Sequence, residues 1–284
     1  MAGLILKIKE LYDQFGASEK RAADLVLKDP QAIVGIPIST FAEKSGTHKT
    51  AVLRLCRKLG YSGYRDFILN LVSELAVNAN NEDTGEYIDL NVGDNLTVVA
   101  KNVCINNQKA IEDSYKIINV GDVIMARDLL MNAKKINFFG IGASGVVALD
   151  AHREFTRINK NCTISVDYHQ QLATAANSTQ DDVAVVISWS GETKEMIRVA
   201  KTAKEAGAKV IIITRLGKNR LAEYADIKLS LSAPETTIRC GATSSRIAQL
   251  TMIDILFNSI LTHDYSNLKK YLDKAKTTVR RPEF

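Results

Sequence analysis

Residues 183–193, VAVVISWSGET, join an unbroken apolar segment to a loop of hydroxyl-bearing residues and one glycine. A short run of this kind, rich in β-branched residues, is typical of a strand that is buried on both faces. Residues 135–145, KINFFGIGASG, repeat the arrangement, with three glycines at and after the end of the apolar segment. Helical periodicity follows both loops, so each stretch predicts a strand, a tight loop and a helix in succession.

The second half of the chain continues this alternation between β-rich and helical segments. The candidate strands are Ile136 to Phe139, Thr163 to Val166, Val183 to Ser188, Lys209 to Thr214, and Ile227 to Leu231. Helical patterns follow the first four strands, and a helix from Ser244 to Leu261 follows the last. The alternation predicts an α/β three-layer domain, with helices on both faces of a five-stranded parallel sheet. Ligands of such sheets bind beyond the carboxyl ends of the strands.

The N-terminal part of the chain predicts a different, all-α domain built from short helices. Ser39 is expected to cap a helix from Thr40 to Lys44, and a second helix runs from about His48 to Leu59. Gly46 lies in the turn between them. Two short helices joined by a tight turn indicate a helix-turn-helix.

The chain of 284 residues is long enough for two domains with separate cores. Residues 78–95 are rich in Asn, Asp, Glu and Gly, which predicts a linker. We therefore expect a helix-turn-helix domain over residues 1–77 and a ligand-binding α/β domain over residues 96–284, which begins with helices.

Basic residues are concentrated in the predicted helix-turn-helix. The net charge of the chain is +5, and the segment from Lys44 to Arg65 contains six basic residues and no acidic one. Side chains of this kind can bind DNA phosphates and the acceptor-rich edge of guanine. The candidate DNA-contacting residues are Thr47, His48, Lys49, Thr50, Arg54 and Arg57. The alternative is an ordinary helical hairpin with a solvated basic face.

The loops after the first and the third predicted strands, residues 140–145 and 188–193, are both suited to bind a phosphate. Residues 140–145 precede a helix, whose first backbone amides attract anions. They also match GxGxxG, and Asp167 follows Gly145 by 22 residues, as in dinucleotide folds. A dinucleotide-sensing redox repressor is therefore one alternative. Residues 188–193, however, place three hydroxyls and a glycine at a second helix start, which a compact phosphate monoester would use and a dinucleotide does not need.

The composition argues against several other kinds of site. The four cysteines lie far apart without a CxxC pair, which disfavours a zinc site and predicts reduced thiols: Cys56, Cys104, Cys162 and Cys240. No stretch approaches the roughly 18 apolar residues of a membrane span, and the first ten residues lack a signal-peptide cleavage pattern. We expect a cytoplasmic protein with no metal and no membrane partner.

These motifs resemble two known families. The GxGxS and SxSGxT loops on a five-strand pattern are similar to those of the sugar isomerase (SIS) domain, and residues 42–67 resemble the RpiR/MurR family of transcription regulators. The matches to the family pattern RxCRKLGxxGxxxF are Arg54, Cys56, Arg57, Lys58, Leu59, Gly60, Gly63 and Phe67, and Ser245 with Arg246 matches an SR pair in its last helix. The resemblance spans nearly the whole chain.

The resemblance implies which residues bind the ligand. The implied sugar-phosphate site consists of Ser144, Ser188, Ser190 and Thr193, with Gly142 and Gly191 of the two loops and with His169 and Arg246. In the family the recognition helix usually opens with Ser, whereas this chain has His48. The helix cap is therefore expected at Thr47.

The resemblance also implies a function, which is DNA-binding transcription regulation in response to a phosphorylated sugar. We expect a repressor of a carbohydrate catabolic operon, of amino-sugar or sialate type, with an amino-sugar 6-phosphate as effector and no cofactor. The expected partners are double-stranded operator DNA, the sugar phosphate, and further copies of the chain in a homodimer or homotetramer. A sugar-phosphate isomerase is the enzymatic alternative, but it needs a positioned general base. Spacing assigns neither Glu192 nor Glu235 to that work, so no catalytic residue is predicted.

Overall fold

The computed structural model of the protein describes residues 4–78, 92–233 and 242–280. Within them the chain forms two compact units, the first built from the N-terminal helices and the second from all the strands and the later helices. Most of the predicted linker, Glu235, Cys240 and the last four residues lie outside the described residues.

The first unit is a small helical domain with one apolar core. It consists of α1 (Leu4–Leu11), α2 (Ala17–Lys28), α3 (Ile38–Lys44), α4 (Lys49–Lys58) and α5 (Tyr64–Asn78), with 3-10 turns at Tyr12–Gln14 and Gln31–Ile33. Ile8, Val26, Phe41, Leu55 and Phe67 are fully buried in this core. Because they come from all five helices, the core fixes the orientation of α3 and α4.

Helices α3 and α4 form the predicted helix-turn-helix. Gly46 in the turn has a φ of +61°, a backbone conformation that favours glycine. The Thr47 amide donates to the Ala42 carbonyl at 2.9 Å and closes the turn. Helix α3 begins directly after Pro37, so the prediction that Ser39 caps this helix was wrong. The chain is already helical at Ser39, because the extended backbone ends at Pro37.

The second unit contains the parallel sheet. It includes most of α6 (Leu96–Ile117), then α7 (Val120–Asn132), β1 (Lys135–Phe139), α8 (Ala143–Arg157), β2 (Cys162–Thr163), α9 (Tyr168–Ala176), β3 (Asp182–Ile187), α10 (Lys194–Glu205), β4 (Lys209–Arg215), a 3-10 helix (Arg220–Tyr224), β5 (Ile227–Leu231), α11 (Thr243–His263) and α12 (Tyr265–Arg280). The prediction of five strands is confirmed, although β2 is shorter than expected. Helix α12 was not predicted, because its sequence is largely polar.

The order of the strands is β2-β1-β3-β4-β5, and every neighbouring pair is parallel. The chain leaves β1 toward one edge of the sheet and leaves β3 toward the other, which opens a crevice between the carboxyl ends of these two strands. Phe139 pairs with Val186, so β1 and β3 end within one residue of each other. The two phosphate-loop candidates therefore emerge side by side.

Successive residues of the central strand pack on opposite faces of the sheet. Val183, Val185 and Ile187 belong to the core formed with α7, α8 and α11, whereas Ala184 and Val186 belong to the core formed with α9 and α10. All five side chains are buried. Coverage of both faces explains why this strand is an unbroken apolar run rather than an alternating one.

Candidate functional site

The loop after β1 depends on glycine at two positions. Gly142 has a φ of +59° and a ψ of −130°, which other residues rarely adopt. A Cβ at Gly140 would lie 2.6 Å from the carbonyl oxygen of Ser144. These glycines let the chain turn directly into α8, which starts without a side-chain cap. The first amides of α8 and the Ser144 hydroxyl are thereby placed at the crevice.

The loop after β3 carries the other three predicted hydroxyls. Ser188 is 3% exposed and donates to Oγ1 of Thr193 at 3.2 Å. The hydroxyl oxygen of Ser190 accepts the backbone N–H of Glu192 at 3.1 Å, which fixes its side chain. Thr193 occupies the N-cap position of α10 but makes no side-chain cap bond. The hydroxyl of Thr193 therefore does not serve α10 as an ordinary cap, and the first amides of this helix remain available to an anion.

The two loops border one cavity of about 250 Å³. Its lining residues are Ile141, Ala143, Ser144, Ile187, Ser188, Trp189, Ser190, Thr193 and Met196. The four side-chain hydroxyls predicted to hold a phosphate therefore share one concave surface. The N-termini of α8 and α10 lie at the same edge of the sheet. Hydroxyl donors combined with helix N-termini favour an anionic ligand.

Gln171 of α9 is a buried residue whose side chain bonds to the backbone just after β1. This side chain is 1% exposed. Its Oε1 accepts the Gly140 N–H at 3.2 Å, and its Nε2 donates to the carbonyls of Gly140 and Ser165, both at 2.9 Å. One amide side chain thus satisfies both backbone groups of Gly140, where strand pairing has ended. Gln171 was not predicted from the sequence, because a single glutamine in a helix carries no signal of such a contact.

Gln249 of α11 reaches the same loop from another direction. It is 1% exposed, and its amide lies 3.2 to 3.3 Å from the hydroxyl oxygen of Ser144. Gln249 was not predicted from the sequence either. The available signal was an amide at helical spacing from the apolar residues Ala248 and Met252.

The segment after β4 holds the second loop in place. The Gly191 carbonyl accepts the Leu221 N–H at 3.0 Å, and Oε1 of Glu192 accepts the Arg220 N–H at 2.9 Å. Gly191 has a φ of +66°, and a Cβ there would lie 2.3 Å from Cγ of Asn219. The Glu192 carboxylate therefore has a structural role in the loop, and none of its contacts assigns it to proton transfer.

The remaining sequence candidates lie outside this cavity. His169 is exposed near the start of α9, with its ring centroid 5.6 Å from that of Tyr168. Arg246 is exposed near the start of α11. Neither residue is among the lining residues of the 250 Å³ cavity. Asp167, which suggested a dinucleotide site, caps α9 by accepting the Gln170 N–H at 2.8 Å.

The predicted DNA-contacting side of α4 faces solvent. Its exposed residues are His48, Lys49, Thr50, Arg54 and Arg57. Val52, Leu55 and Leu59 are buried on the opposite side, as expected for a helix whose polar face is available for DNA.

The start of α4 differs from the expectation. His48 occupies the N-cap position and makes no side-chain cap bond. The prediction of a cap at Thr47 was wrong, because Thr47 belongs to the turn and its Oγ1 is buried without a hydrogen-bond partner among the described residues. The first amides of α4 are therefore left uncapped by side chains.

Glu19 of α2 forms ion pairs with two basic residues of α4. Its side chain is 5% exposed and accepts from Nζ of Lys58 at 2.6 Å, while Nε of Arg54 lies 3.4 Å away. The same carboxylate accepts the Gly16 N–H at 2.8 Å. Burial by itself would raise the pKa of Glu19, but these hydrogen bonds and the two positive charges outweigh it and lower the pKa. The charge of Lys58 is thus paired within the domain, and the longer contact pairs the charge of Arg54 more weakly.

Two of the four thiols, Cys56 and Cys162, are poor nucleophiles at neutral pH. Burial raises the pKa of Cys56 and of Cys162 to about 12, so both are protonated at neutral pH.

Residues 4–78, 92–233 and 242–280 contain no cluster of three or more side chains suited to a metal ion. In the same residues, none of the helices combines the length and hydropathy that a bilayer crossing requires.

Comparison with known proteins places the chain in a family. Residues 2–78 match the helix-turn-helix domain of the rpiR family, and residues 129–259 match the SIS domain. An HTH-type transcriptional regulator of Caldanaerobacter subterraneus subsp. tengcongensis is 37% identical, over 97% of this chain and 96% of its own. The chain belongs to the RpiR family of transcriptional regulators. The HTH-type transcriptional regulator HexR of Pseudomonas aeruginosa is also similar, 30% identical over 98% of this chain and 96% of its own.

Solved structures are similar in fold to this RpiR-family regulator. Vibrio vulnificus NanR, complexed with ManNAc-6P, matches with a TM-score of 0.61 and 25% identity over 97% of each chain. The sugar isomerase domain of an RpiR transcription factor from Sphaerobacter thermophilus covers 63% of this chain and 98% of its own, with a TM-score of 0.58 and 16% identity, and shows the fold. The predicted family and two-part fold are confirmed. The relatives are named as transcriptional regulators, in agreement with the expectation that the chain is not an enzyme.

Proposed function

We propose that this RpiR-family regulator represses a carbohydrate catabolic operon and responds to an amino-sugar 6-phosphate bound in the cavity between its two loops. The observation that carries the proposal is the shared cavity, because it brings together the hydroxyls of Ser144, Ser188, Ser190 and Thr193. The similar NanR structure contains ManNAc-6P, which supports an amino sugar as the effector.

The size of the cavity favours this ligand over a dinucleotide. A volume of about 250 Å³ suits a phosphate and part of a sugar, since pockets for larger organic ligands span roughly 300 to 1,000 Å³. The capping role of Asp167 also weakens the dinucleotide alternative, because that carboxylate already has a backbone partner.

The proposed DNA contacts are made by the exposed side of α4. His48, Lys49, Thr50, Arg54 and Arg57 would meet the major groove and its phosphates, with Thr47 in the turn that precedes the helix. A homodimer or homotetramer in the cytoplasm would present paired helices to a two-fold symmetric operator. The proposed domains are residues 1–77 and 96–284, joined by residues 78–95.

The proposal is tested by thermal unfolding with a panel of ligands. The panel contains N-acetylmannosamine 6-phosphate, glucose 6-phosphate, both free sugars, inorganic phosphate and NADH. A ligand at 100 times its dissociation constant stabilises the folded state by about 2.7 kcal/mol. We expect a rise in melting temperature with a sugar phosphate but not with its free sugar, and loss of the rise in Ser190→Ala. Stabilisation by NADH alone would contradict the proposal and favour a redox sensor.

A further inference from the structure

Gln249 is a polar side chain on the buried face of α11 that contacts Ser144, a residue lining the candidate cavity. It is 1% exposed, and its helix neighbours Ala248, Met252 and Ile253 belong to the apolar core. An amide in such surroundings is costly unless it is hydrogen-bonded. Its partner is Ser144, one of the hydroxyl residues that line the cavity.

The amide of Gln249 can bond to Ser144 in two ways. Ser144 Oγ lies 3.3 Å from Oε1 and 3.2 Å from Nε2 of Gln249. In the first arrangement the hydroxyl donates its only proton to Oε1 and has none left for a ligand. In the second arrangement Nε2 donates to the hydroxyl oxygen, and the Ser144 proton is free to point at an acceptor in the cavity. Phosphate oxygens are strong acceptors, so a bound phosphate favours the second arrangement.

We propose that Gln249 is a positioning residue for the effector. By donating an N–H to Ser144, it makes the Ser144 hydroxyl a donor to the phosphate. This inference rests on the proposed function, since it needs a phosphate in the cavity. Gln249 itself does not have to touch the ligand, so its contribution to affinity exists only while the Ser144 hydroxyl is present.

The test is a double-variant cycle on the full chain. Wild type, Gln249→Met, Ser144→Ala and the double variant are titrated calorimetrically with N-acetylmannosamine 6-phosphate, glucose 6-phosphate and inorganic phosphate. Methionine fills a similar volume but cannot replace the hydrogen bond. We expect Gln249→Met to raise Kd about two- to tenfold, which corresponds to the usual net free-energy contribution of one hydrogen bond. The same change should leave the Kd of Ser144→Ala unaltered, because coupled residues are not additive.

Two further variants separate positioning from a general loosening of the fold. Gln170→Met changes an exposed glutamine of α9 and should leave Kd unchanged. Gln249→Glu, titrated at a pH at which its carboxylate is ionised, can only accept from Ser144, so it should weaken binding at least as much as Gln249→Met. Thermal scans of the unliganded variants report any loss of stability.

The outcomes distinguish this inference from the proposed function. If Gln249→Met weakens binding by the same factor with and without the Ser144 hydroxyl, Gln249 acts on the fold and the inference is overturned. If wild type binds a sugar phosphate and Gln249→Met binds it equally well, only the inference fails. If wild type binds none of the three probes, the proposed function and the inference both fail.

Discussion

Individual residues of the first unit show how charge supports both fold and function. Glu19 is a buried carboxylate that bonds to two basic residues of α4 and to the Gly16 amide. It therefore stabilises the very helix whose other basic residues face solvent. The family pattern RxCRKLG contains Arg54 and Lys58, but it gives no sign that one acidic side chain in α2 binds both.

We expect Glu19→Gln to lower the free energy of unfolding at neutral pH by about 1 to 2 kcal/mol, because the ion pairs with Lys58 and Arg54 are lost. The loss stays modest because both basic side chains can be hydrated once the carboxylate is gone. The pKa of Glu19 is lowered in the folded protein from its usual 4.5. Its contribution is therefore complete above the unfolded pKa and is lost as the pH falls through the folded pKa.

Urea unfolding of wild type and Glu19→Gln at pH 7 and in acid measures this contribution. The difference in stability should be largest at pH 7 and should shrink below the folded pKa. Glu43→Gln, on the exposed side of α3, is the matched control and should change little. An equal difference at both pH values would show that the charge of Glu19 is not responsible.

At the scale of elements, the two loops of the candidate site are shaped by contacts with segments that are distant in sequence. The loop after β3 is fixed by the segment after β4, through the contacts of Gly191 and Glu192. The loop after β1 is fixed by Gln171 of α9 and Gln249 of α11. The hydroxyls are therefore held in place by the fold itself, which would lower the cost of binding the proposed effector.

We expect Gly191→Ala to destabilise the protein by about 2 to 4 kcal/mol and to abolish sugar-phosphate binding. The new Cβ would meet Asn219 at 2.3 Å and would also force alanine into a positive φ. Gly207→Ala is the control, because Gly207 has a φ of +97° but only ordinary contacts at 3.6 Å or more. Its cost should be smaller, about 1 to 2 kcal/mol. Equal melting temperatures for the two variants would show that the contact with Asn219 is unimportant.

Helix α4 carries a separate prediction on DNA binding. Arg57 is exposed, with no acidic partner among the described residues, so its charge is available to a phosphate. Arg57→Ala should weaken binding to duplex DNA of any sequence and lower the slope of log K against log salt by about 0.9. Fluorescence anisotropy over a salt series measures both. Lys28→Ala, an exposed change at the end of α2, should leave the slope unaltered; a similar loss there would point to a general charge effect.

For the whole molecule, the proposed function requires that effector and DNA affect each other. A ligand changes DNA affinity only if it binds two states of the protein differently, and the effect is reciprocal. Such coupling is typically about 1 to 3 kcal/mol, or about 5- to 150-fold in affinity.

The coupling can be measured on an operator fragment selected from genomic DNA by binding to this protein. N-acetylmannosamine 6-phosphate should shift the affinity for that fragment by a factor in this range, and the fragment should shift ligand affinity by the same factor. Ser190→Ala should bind the fragment normally without ligand and lose the response. A full response in Ser190→Ala would show that the effector binds elsewhere.

The sequence by itself determined the class of fold and the identity of the hydroxyl loops. Apolar runs such as residues 183–187 are readable because both faces of the strand are buried, and loops with glycine and Ser or Thr have a local chemistry that needs no partner. The basic side of α4 could also be predicted from the sequence, because helical spacing alone separates it from the buried side.

Only the tertiary structure decided which side chains support these loops. Gln171 and Gln249 reach the β1 loop from helices that lie 31 and 105 residues farther along the chain, and Asn219 meets Gly191 across a strand and a helix. The cap at Ser39 was mispredicted because the helix already begins after the extended backbone of Pro37, and the cap at Thr47 was mispredicted because its amide closes the turn onto Ala42. Local sequence records backbone preference and burial, whereas a contact between distant residues exists only once the core has packed and set their distance.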